Sequence, residues 1–540
     1  MLNKVVLLLS FFLMILSQPD IAPLVSLVGG LVGYGLYWHS VEAYSSRKRL
    51  VISFLWMAGV SAIHFSWMAS ASLLGWVIYF PWLALIIVSG VVFSLFSSGL
   101  FWIKKRQSFC FVVFTFPFLW VFWETIRYHC IFSGISLDYI GWALTGVPYL
   151  AQFSSFFGWS GLSVIVIATN ISFLYFLESR QLRFFVPFLC ISLVPFCLGG
   201  MFREIVKYRE KLTSVRSVKV ALLQTAEPPF IAIPSNALSV WERIFRLCSR
   251  IDTQVDLMVM PEVSVPFGVH RKVYPAKDFS ILQETWFGNK SSFPDASLLS
   301  NKEVACELSN KFNCDLVMGF ERFVDTTRHF YNSALMFSPG NILSGCYDKR
   351  ILVPGGEYIP GGKVGEKFFR FFCPEYVLPY VREPGIRSGI FVSKDGIPFA
   401  VTICYEETFG HLVREYKRLG AQLLINISND GWYPKSRLPK VHFLHGVTRN
   451  LECGLPCIRA CHTGVTAVVD SLGRVVAKLP EDSMIRKVLP GVLIAEISLF
   501  EYCTPYVIYG DWPVRVISWA AVVIFLWWYF RFQQQYRGIA

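Results

Sequence analysis

Three residues in this chain each combine a reactive side chain with the end of an apolar run. Glu262 follows LMVMP (257–261), Cys404 follows FAVTI (399–403), and Lys349 lies in YDKRILVPGGEYIP, with Glu357 eight residues further on. Together they offer a proton acceptor, a cation and a sulfur nucleophile. Attack on a carbonyl through a tetrahedral oxyanion needs those three chemistries. Each alone is a weak signal. A cysteine after an apolar strand is more often a small buried hydrophobe, and a glutamate after proline or a loop lysine is usually a solvated turn residue. The segment after Cys404, YEETFGHLVREYKRLG, has a helical pattern, which predicts a strand-to-helix elbow. A helix N-terminus there would favour the thiolate, and its free N–H groups would hold an oxyanion.

These residues need a rigid frame, and 201–513 has the pattern of one. Short β-rich runs at 218–224, 257–261, 316–320, 334–337, 399–403 and 423–427 alternate with helical stretches such as 235–251 and 411–419. The rhythm predicts an α/β or α+β sandwich with mostly buried strands. The 263–310 stretch reads as a long excursion between strands, the kind of segment often used as a lid or binding loop.

Charge is placed unevenly. Overall the 540 residues are 54% hydrophobic and 16% charged, below the roughly 25% charge of a soluble domain. Residues 1–200 hold ten Lys/Arg and five Asp/Glu, whereas 201–513 hold thirty-seven and thirty-two. This predicts a membrane domain over 1–200 with seven transmembrane helices, an external domain over 201–513, and an eighth helix with its tail over 514–540. Apolar runs near 4–17, 21–38, 50–67, 73–102, 108–126, 160–177, 184–200 and 514–530 are the expected spans. Eleven basic residues in the short loops, among them Arg47-Lys48-Arg49 and Lys104-Lys105-Arg106, fall on one side. By the positive-inside rule both termini are expected in the cytoplasm and 201–513 outside. The net charge of +13 is then accounted for by these loops and a mildly basic domain near anionic lipid, with no nucleic-acid partner.

The motifs around the three residues match a known pattern. MPE, YDK with GGEYIP, ICYEE, NISNDGWY and TGVTAVVDSLGRV resemble the nitrilase (carbon–nitrogen hydrolase) superfamily. Together with the seven-plus-one spans and TPYVIYGDWP before the last of them, the chain resembles that superfamily's membrane branch, the apolipoprotein N-acyltransferase family. The loop at 123–137 loosely resembles the family's external segment between spans five and six. The resemblance implies an αββα sandwich beside a polytopic helical domain in a bacterial inner membrane, and no cofactor. It implies a Glu262–Lys349–Cys404 triad, with Glu357, Tyr405 and Glu406 in support, and Trp432 and Asn429 near the acyl site. The implied reaction passes a fatty acyl chain from the sn-1 ester of a phospholipid, commonly phosphatidylethanolamine, through a Cys404 thioester. The acceptor would be the α-amino group of a diacylglyceryl-cysteine at a lipoprotein N-terminus. Three places depart from the family: Gly355 stands for a phenylalanine, QTAEPP (224–229) replaces a Gln-Gly-Asn start, and His462-Thr463-Gly464 stands where NNG or NTG is common.

Other readings remain open at this point. The same triad with water as acceptor would make a membrane-anchored amidase, and a degenerate domain would leave a scaffold or transporter. Cys306 and Cys314, among other pairs, are free to close a disulfide loop. Cys453, Cys457, Cys461 and His462 have metal-like spacing, but GLPCIRACHTGVTAVVD reads as a strand pair that builds no tetrahedral cage, so no metal is expected. His442 and His445 invite a Cys–His dyad or a packing role. Glu124 and Arg127 are three apart on one helix face, suited either to a lipid headgroup or to an intramembrane ion pair.

Overall fold

The computed structural model describes residues 2–537 except 71–74, 131–135, 138, 214, 228, 230–235, 289–296, 325, 327, 373–380, 434 and 481–487. Part of the 123–137 loop therefore lies outside the described residues. The chain divides into two compact units, Met1–Arg209 with Cys503–Ala540, and Glu210–Tyr502.

The first unit is helical. Leu2–Ile15, Pro23–Val41, Ser46–His64, Gly75–Lys104, Phe109–Cys130, Ser154–Ser179, Leu182–Leu212 and Trp512–Arg537 correspond to the eight apolar runs. Six of them are long and apolar enough to cross a membrane. Leu2–Ile15 falls short with 14 residues, about 21 Å at 1.5 Å per residue. Ser46–His64 opens on Arg47-Lys48-Arg49, which lowers its apolar content. Leu182–Leu212 outruns the apolar run because the polar residues MFREIVKYREKL are good helix formers. Tyr34, Trp38, Trp56, Phe93 and Trp120 stack into a shared aromatic core.

One buried polar residue holds an irregular turn in this unit. Gly29–Gly33 forms a π-helical turn, which breaks the regular ladder and frees backbone groups. Asn170, fully buried, accepts from the Gly35 N–H at 2.8 Å and donates to the carbonyls of Gly30 and Val166 at 2.6 and 2.7 Å.

The second unit is a four-layer sandwich. One six-stranded sheet runs Gly491–Ser498, Ser217–Gln224, Leu257–Val259, Asp315–Val324, His329–Ser338, Ile342–Asp348. The other runs Val475–Lys478, Ala467–Val469, Cys457–Cys461, Leu423–Ser428, Pro398–Ile403, Ile390–Val392. The central pairings of each are parallel and the outer ones antiparallel. Alternation along the strands decides the layers. Val218, Val220 and Leu222 face the second sheet's Val401, Ile403 and Ile425. Ala221 and Leu223 face a separate core with Trp241, Phe245, Val304 and Leu308.

The 263–310 stretch is more than an excursion. It carries the helices Ala276–Phe287 and Asn301–Phe312, whose Phe279, Val304 and Leu308 join that outer core. Ser300 and Glu303 form a capping box at the start of the second helix, a signal legible as S-x-x-E.

The Asn170 interaction has a measurable consequence. Asn170→Ala removes the side-chain partner of the Gly35 N–H and of the Gly30 carbonyl, at about 1–3 kcal/mol for each group left unpaired. The variant is expected to unfold at a clearly lower temperature in detergent than the wild type. An unchanged unfolding midpoint would show that the π-turn is held by something else.

Candidate active site

Glu262, Lys349 and Cys404 leave three different strands and meet. Glu262 follows Leu257–Val259, Lys349 directly follows Ile342–Asp348, and Cys404 directly follows Pro398–Ile403. Lys349 Nζ lies 3.5 Å from Glu262 Oε1 and 2.8 Å from Glu357 Oε2. The Cys404 thiol interacts with the Glu262 carboxyl, whose Oε2 is buried without a well-formed hydrogen bond. Cys404 and Val263 both have left-handed backbones, with φ 53° and 44°. Such a backbone costs a non-glycine residue about 1–3 kcal/mol and persists only where its surroundings impose it. Gly319 is part of that imposition at Val263. A Cβ there would stand 2.5 Å from the Pro261 carbonyl and 2.6 Å from the Val263 nitrogen.

Asn332 is the member that sequence reasoning missed. Its Nδ2 donates to Glu262 Oε1 at 2.7 Å and to Glu357 Oε1 at 2.8 Å, while its carbonyl accepts the Lys349 N–H at 2.8 Å. A buried Asn332, beside Ser333 in the otherwise apolar strand FYNSALMF, was the available signal. Glu357 also accepts from the Val353 N–H at 2.9 Å. Its loop turns at Gly355, whose φ of 75° suits glycine better than the phenylalanine common in the family.

Glu406 is structural. Fully buried, it accepts from Tyr347 Oη, from the N–H groups of Arg350 and Ile351, and from the Ile403 N–H at 2.6–3.0 Å. It ties the backbone just after Lys349 to the backbone just before Cys404. Tyr405 packs edge-on against Phe409. Asn429 Oδ1 accepts from the Gly431 N–H and the Thr463 hydroxyl, so it shapes the turn Asp430–Trp432 on which Trp432 stands half-buried.

Beneath Cys404 lies a buried polar network. His442 Nε2 is 3.2 Å from both the Cys404 carbonyl and Glu407 Oε1, and its Nδ1 is 2.7 Å from Asp430 Oδ1. Arg459 donates to Glu407 and Asp430. His442 thus supports the Cys404 backbone, with both ring nitrogens taken by the Cys404 carbonyl, Glu407 and Asp430, which argues against a Cys–His dyad. His445 is buried, and burial lowers its pKa well below the ordinary histidine value. Every described cysteine is free, Cys306 and Cys314 included. Cys453, Cys457 and Cys461 are buried, the last two on one strand.

The electrostatics follow from burial. Burial pulls against the Lys349 ammonium, but Glu357 and Glu262 outweigh it and hold its pKa above the ordinary value. Burial, only partly offset by Lys349, pushes the Glu262 carboxyl up. Burial and the Glu262 carboxylate push the Cys404 thiol well above its usual value. This reverses the expectation of a thiolate at a helix N-terminus. The elbow exists, but a five-residue 3-10 turn, Cys404–Thr408, separates the cysteine from the helix Gly410–Arg418. These surroundings favour the protonated thiol over the thiolate.

The αββα layers and the meeting of glutamate, lysine and cysteine define a carbon–nitrogen hydrolase domain. A family model described as carbon–nitrogen hydrolase matches residues 219–502, and one described as the apolipoprotein N-acyltransferase N-terminal domain matches residues 10–172. The chain is 43% identical over 523 residues to the apolipoprotein N-acyltransferase of Chlamydia pneumoniae, covering 95% of each. It is 26% identical over 503 residues to that of Haemophilus ducreyi, covering 92% of this chain and 91% of the relative. Among solved structures, Saccharomyces cerevisiae Nit3, of the nitrilase superfamily, aligns at 19% identity and a TM-score of 0.35, covering 52% of this chain and 90% of Nit3. The chain belongs to the apolipoprotein N-acyltransferase family.

A thiol held protonated beside a carboxylate has a distinctive titration. Alkylation of Cys404 by iodoacetamide is expected to keep accelerating as pH rises past 9. Glu262→Gln removes the carboxylate that opposes thiolate formation, so its alkylation profile should move to lower pH. A profile already level at neutral pH in the wild type would contradict the buried-thiol reading.

Proposed function

We propose that this membrane protein transfers a fatty acyl chain from a phospholipid to the amino terminus of a diacylglyceryl-modified apolipoprotein, with Glu262, Lys349 and Cys404 as the catalytic residues. The observation that carries the proposal is the meeting of these three side chains in a chain whose other unit is built of apolar helices. Glu262 takes the thiol proton as the Cys404 sulfur attacks the sn-1 ester carbonyl. Lys349 Nζ faces the oxyanion that forms. The acyl C–O bond then breaks, Glu262 returns the proton to the leaving oxygen, and a lysophospholipid departs from the thioester. In the second half the α-amino nitrogen attacks the thioester, the C–S bond breaks, and Glu262 moves the amine proton to the sulfur. A carboxyl pushed up by burial suits a group that must both take and give a proton near neutral pH.

Glu357 and Asn332 hold the two charged partners in place. Phosphatidylethanolamine is the expected donor. Both substrates are lipids, which gives the apolar helices a purpose. The eleven basic residues on one side of those helices support a bacterial inner-membrane location with both termini in the cytoplasm and the catalytic domain outside.

Purified protein incubated with acyl-labelled phosphatidylethanolamine should gain one acyl mass on Cys404, and a diacylated lipopeptide should clear it. Cys404→Ala should lose both steps. Transfer by that variant would defeat the covalent mechanism. Labelled free acid formed faster than labelled lipopeptide would make water the acceptor and the protein an amidase.

A further inference from the structure

His462 opens the triplet that departs from the family pattern, and the structure gives it unusually complete anchoring. It is 1% exposed. Its Nε2 lies 2.6 Å from the Glu262 carbonyl and its Nδ1 lies 2.5 Å from Thr225 Oγ1. Burial takes its pKa down to about 4, so the ring is neutral near pH 7. A carbonyl only accepts, so Nε2 carries the one hydrogen and Nδ1 accepts from the threonine hydroxyl. Its backbone is held as well: the N–H donates to the Ser428 carbonyl at 3.1 Å, and the carbonyl accepts from the Ala226 N–H at 3.0 Å.

The contact falls at a point of backbone strain. Val263, immediately after Glu262, is β-branched and left-handed. Groups in or beside the same sheet hold the flanks of this turn. The Ser264 hydroxyl and the Gly319 N–H both donate to the Pro261 carbonyl, and the Ser264 N–H donates to Gly319. The Glu262 carbonyl is held from the opposite sheet, because His462 directly follows the strand Cys457–Cys461. Without that contact the strained turn is free to relax, and any shift it passes to the glutamate's Cα moves the carboxylate relative to Asn332, Lys349 and Cys404.

We propose that His462 is a positioning residue for Glu262: its Nε2–H pins the left-handed turn from the opposite sheet and so sets where the carboxylate stands against the Cys404 thiol. The inference rests on the reading of Glu262 as the proton carrier. His462 itself moves no proton.

The test uses the full chain in detergent with acyl-labelled phosphatidylethanolamine, following the rate of Cys404 thioester formation by intact mass. His462→Phe fills the space without the donor. It should acylate about 100-fold more slowly at saturating phospholipid, the scale of a small misplacement of a reacting group. Its half-saturating phospholipid concentration should not change. His462→Gln, whose amide nitrogen reaches as far as Nε2, should recover most of the rate. His462→Asn, which ends at the depth of Nδ1, should not. The acid limb of the pH–rate profile should move to higher pH in the Phe and Asn variants and stay in place in Gln, because a carboxylate displaced from Lys349 loses its counter-ion. The Gln and Asn comparison carries the test if the Phe variant does not fold. A Phe variant acylated at the wild-type rate would overturn the proposal. So would equal slowing in Gln and Asn with no shift in either acid limb. Absence of a thioester in the wild type would instead overturn the proposed function.

Discussion

The site is organised around one buried ammonium that serves two carboxylates. A charge removed from water has to be paired, and removing one partner leaves the other stranded. Lys349 is 1% exposed and stands 2.8 Å from Glu357 but 3.5 Å from Glu262. Glu357 therefore takes the closer pairing, and Glu262 is left with an incomplete counter-ion. Burial, which Lys349 only partly offsets, pushes the Glu262 carboxyl up, and burial together with Glu262 pushes the Cys404 thiol well above its usual value. Asn332 makes the arrangement tolerable by donating one hydrogen bond to each carboxylate.

Holding such groups together requires the backbone to be fixed at three strand exits. Glu406 does this by joining the Lys349 loop to the residue before Cys404. The network of Glu407, Asp430, His442 and Arg459 does it beneath the cysteine carbonyl. Arg459 and His442 outweigh burial and keep Asp430 well below its ordinary pKa, so that carboxylate stays charged. The left-handed backbones at Cys404 and Val263 are sustained by these ties, much as strain at functional sites generally depends on rigid surroundings.

The helical unit obeys the same accounting in an apolar block. Asn170 satisfies the backbone at the π-turn. Lys104 pairs with both Glu42 and Glu178, again a single ammonium between two carboxylates. Trp38 and Tyr37 spend their polar ends on Ser97 and Ser53. Polar atoms in such surroundings are retained when each finds a partner.

Much of the architecture was legible in the chain because it rests on local periodicity. Runs such as LMVMP and FAVTI, bounded by helical stretches, announced a layered α/β domain, and the contrast in charge between 1–200 and 201–513 announced a separate apolar block. Their chemistry joined Glu262, Lys349 and Cys404, and the resemblance of the motifs added Glu357 to that set. The helices at 276–287 and 301–312 were overlooked, although Ser300 and Glu303 spelled a capping box. What the chain alone could not decide was which distant groups share a pocket. Asn332 and Arg459 looked like ordinary strand residues, and His462 stood out only as a departure from the family pattern beside three cysteines. Their roles arise from pairing across strands and between two sheets, over separations of 70 residues for Asn332 and Glu262 and 200 for His462 and Glu262. The sign of the Cys404 shift was likewise a tertiary matter. A helix terminus next in sequence argued for a thiolate, but burial beside Glu262 decided against it. Desolvation and charge depend on what surrounds an atom in space, and sequence spacing carries no record of that.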